Sequence, residues 1–358
     1  MYNRPQSRVK TVTIAIPSLH RPDLTARCLE FIQQQTLAAD EWEVVVIENE
    51  AKPDSILPEP LPRNTRRIEL PTNEGTTASI NRAIKATESR YILLLNNDVE
   101  LQPDYIEKLV RALDADPKLG FATGKLLRAT QRTHLDGAGD AMLMAGAAYR
   151  LGHFDRDDGQ YDRPKAVLSG CGAAVLYRRE VFELCGPLDE DFFAYLEDVD
   201  LALRAQLLGY TGTYLPDAVA YHIGSATLGD VLHPRIVEYL TRNQIYLLAK
   251  DYPRPVFRWL LPRIVVYQLL WLTHAARKHM FSAWLRGCWA GLRGCDKMRR
   301  KQNELIARRL IARRRISDSE FLARLRESER QIYDWQQSQP PENRSGLLGF
   351  YFRLFGRP

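Results

Sequence analysis

Three separated groups of residues could do chemistry. Asn96-Asn97-Asp98-Val99-Glu100 follows a run of apolar residues and sets an acidic side chain just past a buried strand, where Asp98 could hold a divalent ion such as Mg²⁺ or Mn²⁺ against a diphosphate. A strand-terminating turn is the plainer reading, because Asn and Asp are favoured there. Glu197-Asp198-x-Asp200 crowds three carboxylates into four residues, which suits a cation site or a base whose proton affinity is set by its neighbours. A solvated acidic helix start is its alternative, although the flanking DFFAYL and LALR are apolar. At helical spacing 197 and 200 share a face while 198 points aside. His222, in AYHIGSAT, is either a structural histidine or a ligand completing a site begun by Asp98.

The elements that must position these groups read as α/β. TVTIAIP (11 to 17), EVVVIEN (43 to 49), RRIELP (66 to 71) and YILLLNNDVEL (91 to 101) are β-branched or aliphatic runs, separated by amphipathic stretches over 23 to 36 and 76 to 87. Asp23 is the expected N-cap of the first helix. In an open α/β sheet, ligands gather at the carboxyl ends of the strands, so 17 to 21, 48 to 50 and 96 to 100 should converge on one crevice. The residues after the first strand are PSLHRPD, not GxGxxG, and GxxxxGK[ST] occurs nowhere, which disfavours dinucleotide and P-loop sites. Beyond about residue 120, DGAGDAM and GHFDRDDGQYDRP read as long loops. LSGCGAAVLYRREVFELCG (168 to 186) gives a small-residue turn, a strand and a helix. Ser169, Gly170, Cys171 and Gly172 would let an acceptor approach the backbone closely.

With 358 residues, 45% of them hydrophobic, the chain can bury a full core with an appendage to spare. The expected division is a catalytic domain over 1–235 closing near Gly229, an amphipathic basic helical extension over 236–335 broken at Pro253, Pro255 and Pro262, and a Pro-rich linker with an apolar tail over 336–358. The five cysteines show no CxxC spacing, which argues against a disulfide framework or zinc cluster. MYNRPQSRVKTVTIAIP lacks the apolar core of a signal peptide, so a cytoplasmic location is expected. The net charge of +6 is unevenly spread. Residues 277 to 315 hold thirteen Lys or Arg against Asp296 and Glu304, which leaves the remainder acidic. With Trp259, Tyr267, Trp271, Trp284 and Trp289 nearby, that is the composition of a helix lying on an anionic membrane surface. A lid or a homodimer surface is the competing reading, and no nucleic-acid motif accompanies the charge. The longest apolar stretch there, 264 to 276, is too short to span a bilayer.

The ordered series IPSLHRPD, VVVIENE, NEGTTASIN, LLLNNDVEL, LSGCGAAVLYRREVFELCGPLDEDFFAYLEDVDLALRAQLLGY and AYHIGSAT resembles glycosyltransferase family 2, particularly its rhamnosyltransferase-like branch, over about residues 10 to 245. The resemblance implies a GT-A fold, a mixed Rossmann-like sheet flanked by helices. It implies a nucleotide-diphosphate sugar donor, a divalent metal and inversion at the anomeric carbon. Glu48 falls where the family has an Asp that contacts the nucleobase, and Pro17, Asn73, Gly75 and Asn81 lie in the other nucleotide-contacting stretches. Asn96-Asn97-Asp98 occupies the DxD slot, leaving Asp98 as metal ligand with Asn97 beside it. Asp198 matches the general base, with Glu197, Asp200 and Arg204 expected to fix and screen it, and His222 matches a histidine that joins the metal. Asn96 in place of Asp, and Glu48 followed by Glu50-Ala51, depart from the family pattern. The expected activity is sugar transfer to a cell-envelope glycan or polyprenyl-linked acceptor at the inner face of the cytoplasmic membrane. A sugar nucleotidyltransferase and a non-catalytic membrane-associated partner of the same fold are the alternatives.

Overall fold

The computed structural model describes residues 9–224, 233–312 and 316–358, with the backbone alone over 308–312. The expected domain closure at Gly229 and the arginines at 313 to 315 lie outside them. β1 (Val12–Ser18), α1 (Pro22–Ile32), β2 (Trp42–Glu48), β3 (Thr65–Glu69), α2 (Gly75–Lys85) and β4 (Tyr91–Leu95) build the parallel half of one sheet. β4 is wholly buried and β1 and β2 nearly so, as central parallel strands covered on both faces must be. The cap expected at Asp23 falls earlier. Arg21 is the N-cap and Pro22 opens the helix, where its missing N–H has no partner to lose. Asp23 sits in the first turn on the Arg21 guanidinium.

The expected strand over 91 to 101 is two strands. The chain breaks at Asn96-Asn97-Asp98 and resumes as β5 (Val99–Leu101), followed by α3 (Tyr105–Ala115). β6 (Leu119–Arg128), β7 (Gln131–Gly137), β8 (Asp140–Met142), β9 (Ala148–Arg150) and β10 (Lys165–Val167) follow; DGAGDAM, expected to be loop, runs from the end of β7 into β8, whereas GHFDRDDGQYDRP is the expected long connection, between β9 and β10. β8 to β10 have only three residues each, too few to carry an alternation signal. β11 (Ala174–Arg178), α4 (Arg179–Cys185), α5 (Glu197–Leu207) and β12 (Thr211–His222) complete this part.

The main sheet runs β10-β12-β6-β11-β4-β1-β2-β3, with β5 added to β12 and β7 to β6. β11 is antiparallel to both β4 and β6, so the sheet reverses direction beside the strand that ends at Asn96. α1 and α3 cover one face through Cys28, Leu29, Ile32, Tyr105 and Leu109. α2, α4 and α5 cover the other through Ile80, Ala83, Val181, Leu201 and Ala205. β12 is irregular. Leu215 pairs with Gly124 and Val219 with Lys125, so three extra residues bulge from β12. The bulge sets the rest of β12 against β5 as well, with His222 opposite Val99 and so next to Asp98.

Five helices follow: α6 (Pro234–Lys250), α7 (Arg254–Arg277), α8 (Phe281–Ala312), α9 (Asp318–Ser338) and α10 (Gly346–Phe355). Gly287, Gly291 and Gly294 bring α8 so close to α6 that a Cβ at any of them would lie under 3 Å from α6 atoms. Of the prolines expected to break the helices, Pro253 caps α7 and Pro255 lies in its first turn, but Pro262 is carried inside the helix on its exposed side. The expected tail forms α10, whose Leu348, Tyr351 and Phe352 are buried, with Tyr267 of α7 in the same cluster. α9 is tied to the sheet region by Ser328 and Glu329, which accept from the backbone N–H groups of Met142 and Met144. Among the described residues no helix is long and apolar enough to cross a membrane.

Gly124 makes room for the bulge, since a Cβ there would stand 2.1 Å from the Ala218 carbonyl oxygen and 2.5 Å from the Tyr105 ring. Gly124→Ala is expected to destabilise the fold by about 1–3 kcal/mol, as overpacking does. Urea denaturation followed by circular dichroism measures it.

Candidate active site

The expected convergence of strand ends is present. Asn49 N–H donates to the Ser18 carbonyl at 2.8 Å, His20 Nε2 meets the Glu50 carbonyl at 3.0 Å, and Asn97 Nδ2 donates to Thr25 Oγ1 at 3.1 Å. Pro17 lies in β1 beside Ile47. The Asn73 side chain accepts from Gly75 N–H at 3.0 Å at the start of α2. Gly75 has φ +86° and packs where a Cβ would meet Phe193 at 2.6 Å, so only glycine fits. Two expected donor-site residues turn inward. Glu48 is buried and accepts from Leu57 N–H at 3.1 Å, while Asn81 is buried and bridges the Leu188 N–H, the Leu188 carbonyl and Glu190.

Asp98 and His222 come together, with His222 Nε2 3.2 Å from Asp98 Oδ1. The other ring nitrogen, Nδ1, lies 2.8 Å from Asp136 Oδ2. Burial disfavours the imidazolium, but the bonds to Asp136 and Asp98 outweigh it and raise the His222 pKa to about 9. Arg150 donates to the same Asp136 oxygen at 2.6 Å and passes 3.9 Å from Asp140. Burial pushes Asp136 up, yet Arg150 and His222 together hold it below the ordinary range. Burial, with Asp198 and Asp136 as like-charged neighbours, raises Asp140 to about 7 against the pull of Arg150. Gly137 permits the arrangement, since its Cβ would strike the Arg150 side chain at 2.5 Å.

Asp198 closes this charged series. Its Oδ2 accepts from Gly172 N–H and its Oδ1 from Val199 N–H, each at 2.8 Å. Burial raises its pKa, and those two N–H groups and then Arg150 oppose the rise. A Cβ on Gly172 would lie 3.0 Å from Asp198 Oδ2. Of the neighbouring small residues, Ser169 and Cys171 are buried, and Ser169 pairs with Asp140 through the backbone. A Cβ on Gly170 would lie 2.7 Å from the Val175 side chain.

The three clustered carboxylates divide. Glu197 and Asp198 remain partly accessible, whereas Asp200 is fully buried. Asp200 Oδ2 takes the Arg204 guanidinium at 2.6 Å and Oδ1 takes Lys250 at 2.5 Å, with Asp189 on Lys250 at 2.8 Å. Arg204 therefore sits on Asp200, and the guanidinium that acts on Asp198 is Arg150. Burial first, then the charge of Asp198, raises Glu197 to about 8.

The loop before α5 is strained. Phe193, Tyr195 and Leu196 all have φ between 63° and 70°, a region that non-glycine residues occupy only when the surroundings compel them. Asn243 of α6 is the clamp, its Nδ2 lying 2.7–3.1 Å from the carbonyls of Phe192, Ala194 and Tyr195. Arg242 donates to the Phe192 carbonyl as well.

Asp136, Asp140, Arg150 and Asn243 were not singled out from the sequence. The two acids stand in DGAGDAM, four residues apart and each beside a glycine, but Arg150 and Asn243 lie in stretches with no motif at all.

Among the described residues no three His, Cys, Asp or Glu side chains gather as a metal cage. The Asp98–His222 pair still fits an ion such as Mg²⁺ or Mn²⁺, which takes few protein ligands and completes its shell with phosphate and water. Asp136 on Nδ1 orients the ring as an outer partner does, leaving Nε2 toward Asp98.

Residues 9–240 match the family model described as glycosyltransferase like family 2. The chain belongs to that family. It is 30% identical over 207 residues to the O-antigen biosynthesis protein RfbC of Myxococcus xanthus, covering 55% of this chain and 16% of that one. It is 26% identical to the N-acetylglucosaminyl-diphospho-decaprenol L-rhamnosyltransferase of Mycobacterium tuberculosis (strain H37Rv) over 55% of this chain and 72% of that one. The chain spans less than a third of the length of two of the curated relatives it matches. The crystal structure of GalNAc-T7 with UDP, GalNAc and Mn²⁺ superposes with TM-score 0.57 at 12% identity, over 76% of this chain and 52% of that one. The fold is thus the GT-A fold expected from the sequence.

Two outcomes follow from this geometry. Glu197 keeps its proton to about pH 8 when folded and loses it near 4.5 when free, so stability falls as pH rises across that window. Glu197→Gln should flatten that fall, which thermal melts at a series of pH values would show. Asn243→Ala should lower kcat about 10²-fold by releasing the loop ahead of Asp198. Steady-state kinetics, with nucleotide binding measured in parallel, would record it.

Proposed function

We propose that this chain transfers a sugar from a nucleotide-diphosphate donor to an acceptor hydroxyl of a cell-envelope glycan or lipid-linked glycan, with inversion at the anomeric carbon. The observation that carries the reading is the ion-paired series Asp98–His222–Asp136–Arg150, with the charge of Arg150 acting on Asp198. It supports two different tasks at neighbouring points of one site. The name of the mycobacterial relative favours rhamnose as the sugar and a polyprenyl-linked acceptor.

Asp98 and His222 would hold a divalent ion at the donor diphosphate, where it supplies positive charge to the leaving group. Asp98, left alone by Asn96, carries the acidic part of that task. Asp198 takes the proton of the acceptor hydroxyl. The acceptor oxygen bonds to the anomeric carbon as the carbon–oxygen bond to the diphosphate breaks, and the proton remains on Asp198. Burial favours this role by raising the proton affinity of Asp198, while the Gly172 and Val199 N–H groups fix its orientation. Glu197 lies beside the base, and Asp200 serves it indirectly by anchoring α5 through Arg204 and Lys250. Ser169 to Gly172 would line the acceptor's approach. Pro17, Asn73, Gly75 and Asn97 would border the nucleotide, with Glu48 and Asn81 shaping its pocket from behind. The basic helices α7 and α8 would bring the chain to the anionic inner face of the cytoplasmic membrane, where such an acceptor resides.

Asp198→Asn is expected to lower kcat about 10²–10⁴-fold, the usual worth of a general base, while a nucleoside diphosphate with Mn²⁺ still raises the melting temperature. Asp98→Ala should abolish that Mn²⁺-dependent rise. Retention of transfer by Asp198→Asn, or a product with the donor's anomeric configuration by NMR, would sink the reading.

A further inference from the structure

A cavity away from Asp98 and Asp198 lies between α6, α7 and α8. It measures about 730 Å³, within the range of small-molecule sites. Its buried side is apolar or aromatic: Leu248, Tyr252 and Ile264, with Phe257 partly buried beside them. Its outer side carries the exposed Arg254, Arg258 and Arg299, and no carboxylate lines it. Among the described residues neither Arg254 nor Arg258 has an ion-pair partner, and Arg299 has only the exposed Asp296 at 3.7 Å. A largely apolar interior rimmed by exposed guanidinium groups is complementary to an amphiphile with an anionic head.

The surroundings indicate where that amphiphile comes from. Leu261, Val265 and Leu269 form an exposed stripe on α7 at four-residue spacing. Phe281, Leu285, Trp289 and Leu292 form a second on α8, and Leu292 also lines the cavity. Arg293 stacks over the Trp289 ring at 3.9 Å, the pairing of an aromatic anchor with a basic residue that suits a lipid headgroup region. The exposed apolar stripes thus flank a cavity whose rim is basic, and Leu292 belongs to both.

We propose that this cavity takes a hydrocarbon chain of an anionic membrane phospholipid, with its phosphate held by Arg254, Arg258 and Arg299. The inference rests on the membrane contact in the functional reading above, and it adds a defined lipid site to a general surface attraction. In the wall, the Gln268 side-chain amide and the Trp284 indole N–H are buried without a hydrogen-bond partner among the described residues, polar groups that the ester carbonyls below a phospholipid headgroup could meet.

Two cysteines make the proposal testable, because Cys288 and Cys295 line the cavity and are partly accessible whereas Cys28, Cys171 and Cys185 are buried. Full-length protein would be labelled with N-ethylmaleimide and read by peptide mass spectrometry. Vesicles containing phosphatidylglycerol should slow labelling of Cys288 and Cys295 on the order of tenfold. Phosphatidylcholine vesicles should not. Native mass spectrometry should find one retained phosphatidylglycerol, lost in Ala249→Trp, which fills the cavity. Arg258→Glu, at the exposed rim, should remove the preference for the anionic lipid and serves if Ala249→Trp does not fold. Equal labelling in both vesicles, or lipid retained by Ala249→Trp, overturns the proposal. Protection by a polyprenyl phosphate but not by phosphatidylglycerol, or protection that grows with protein concentration without lipid, also overturns it, assigning the cavity to the acceptor or to a second copy of the chain. Continued transfer to a soluble acceptor alongside such a result would leave the functional reading standing.

Discussion

One imidazole between two carboxylates holds the site together. His222 contacts Asp98 on one side and Asp136 on the other, and these three residues come from β12, the break after β4 and the end of β7. Neither acid could be buried there alone, because an isolated carboxylate in a low-dielectric interior gives up its charge. The histidine and Arg150 keep Asp136 ionised, and Asp136 fixes which nitrogen of His222 faces Asp98. The bulge in β12, the glycine at 124 and the antiparallel pairing of β5 are the structural conditions for that meeting.

Long apolar segments made half of this fold legible in advance. The strands at 12, 42, 65 and 91 and the helices between them follow from periodicity, and the polar strand ends pointed to the crevice that Asn49, Asn97 and His20 build. The passage from 119 to 167 was legible only in part, for a physical reason. β8, β9 and β10 have three residues each, too few for an alternation to show, and β10 is held by the distant β12. Asp136 and Arg150, which tune the site most strongly, sit within it.

The carboxylates at 197, 198 and 200 show what spacing can and cannot tell. Sequence suggested that one of the three had a different task, and helical geometry separated 198 from 197 and 200. Burial then separated 200 from 197, because only Asp200 meets Arg204 and Lys250. A charge so enclosed is retained because its removal would strand two cations, and breaking such a pair costs about 3–5 kcal/mol. Nothing local to Glu197-Asp198-x-Asp200 announces a lysine fifty residues away.

That lysine ends α6, and α6 is where the two halves of the molecule meet mechanically. Arg242 and Asn243 hold the strained loop ahead of Asp198, and Lys250 holds Asp200 two residues further along α5. Ile245, Leu248 and Ala249 of the same helix wall the apolar cavity. α6 is also pressed against α8 by the glycines at 287, 291 and 294, an interface with no room to slide without collision. An occupant that wedged α6 from α8 would therefore move the anchor of the Asp198 loop, whereas one that filled the existing space would hold it still. The C-terminal helices and the Asp198 loop share α6 as one rigid element, and this gives the C-terminal extension a mechanical part in positioning Asp198.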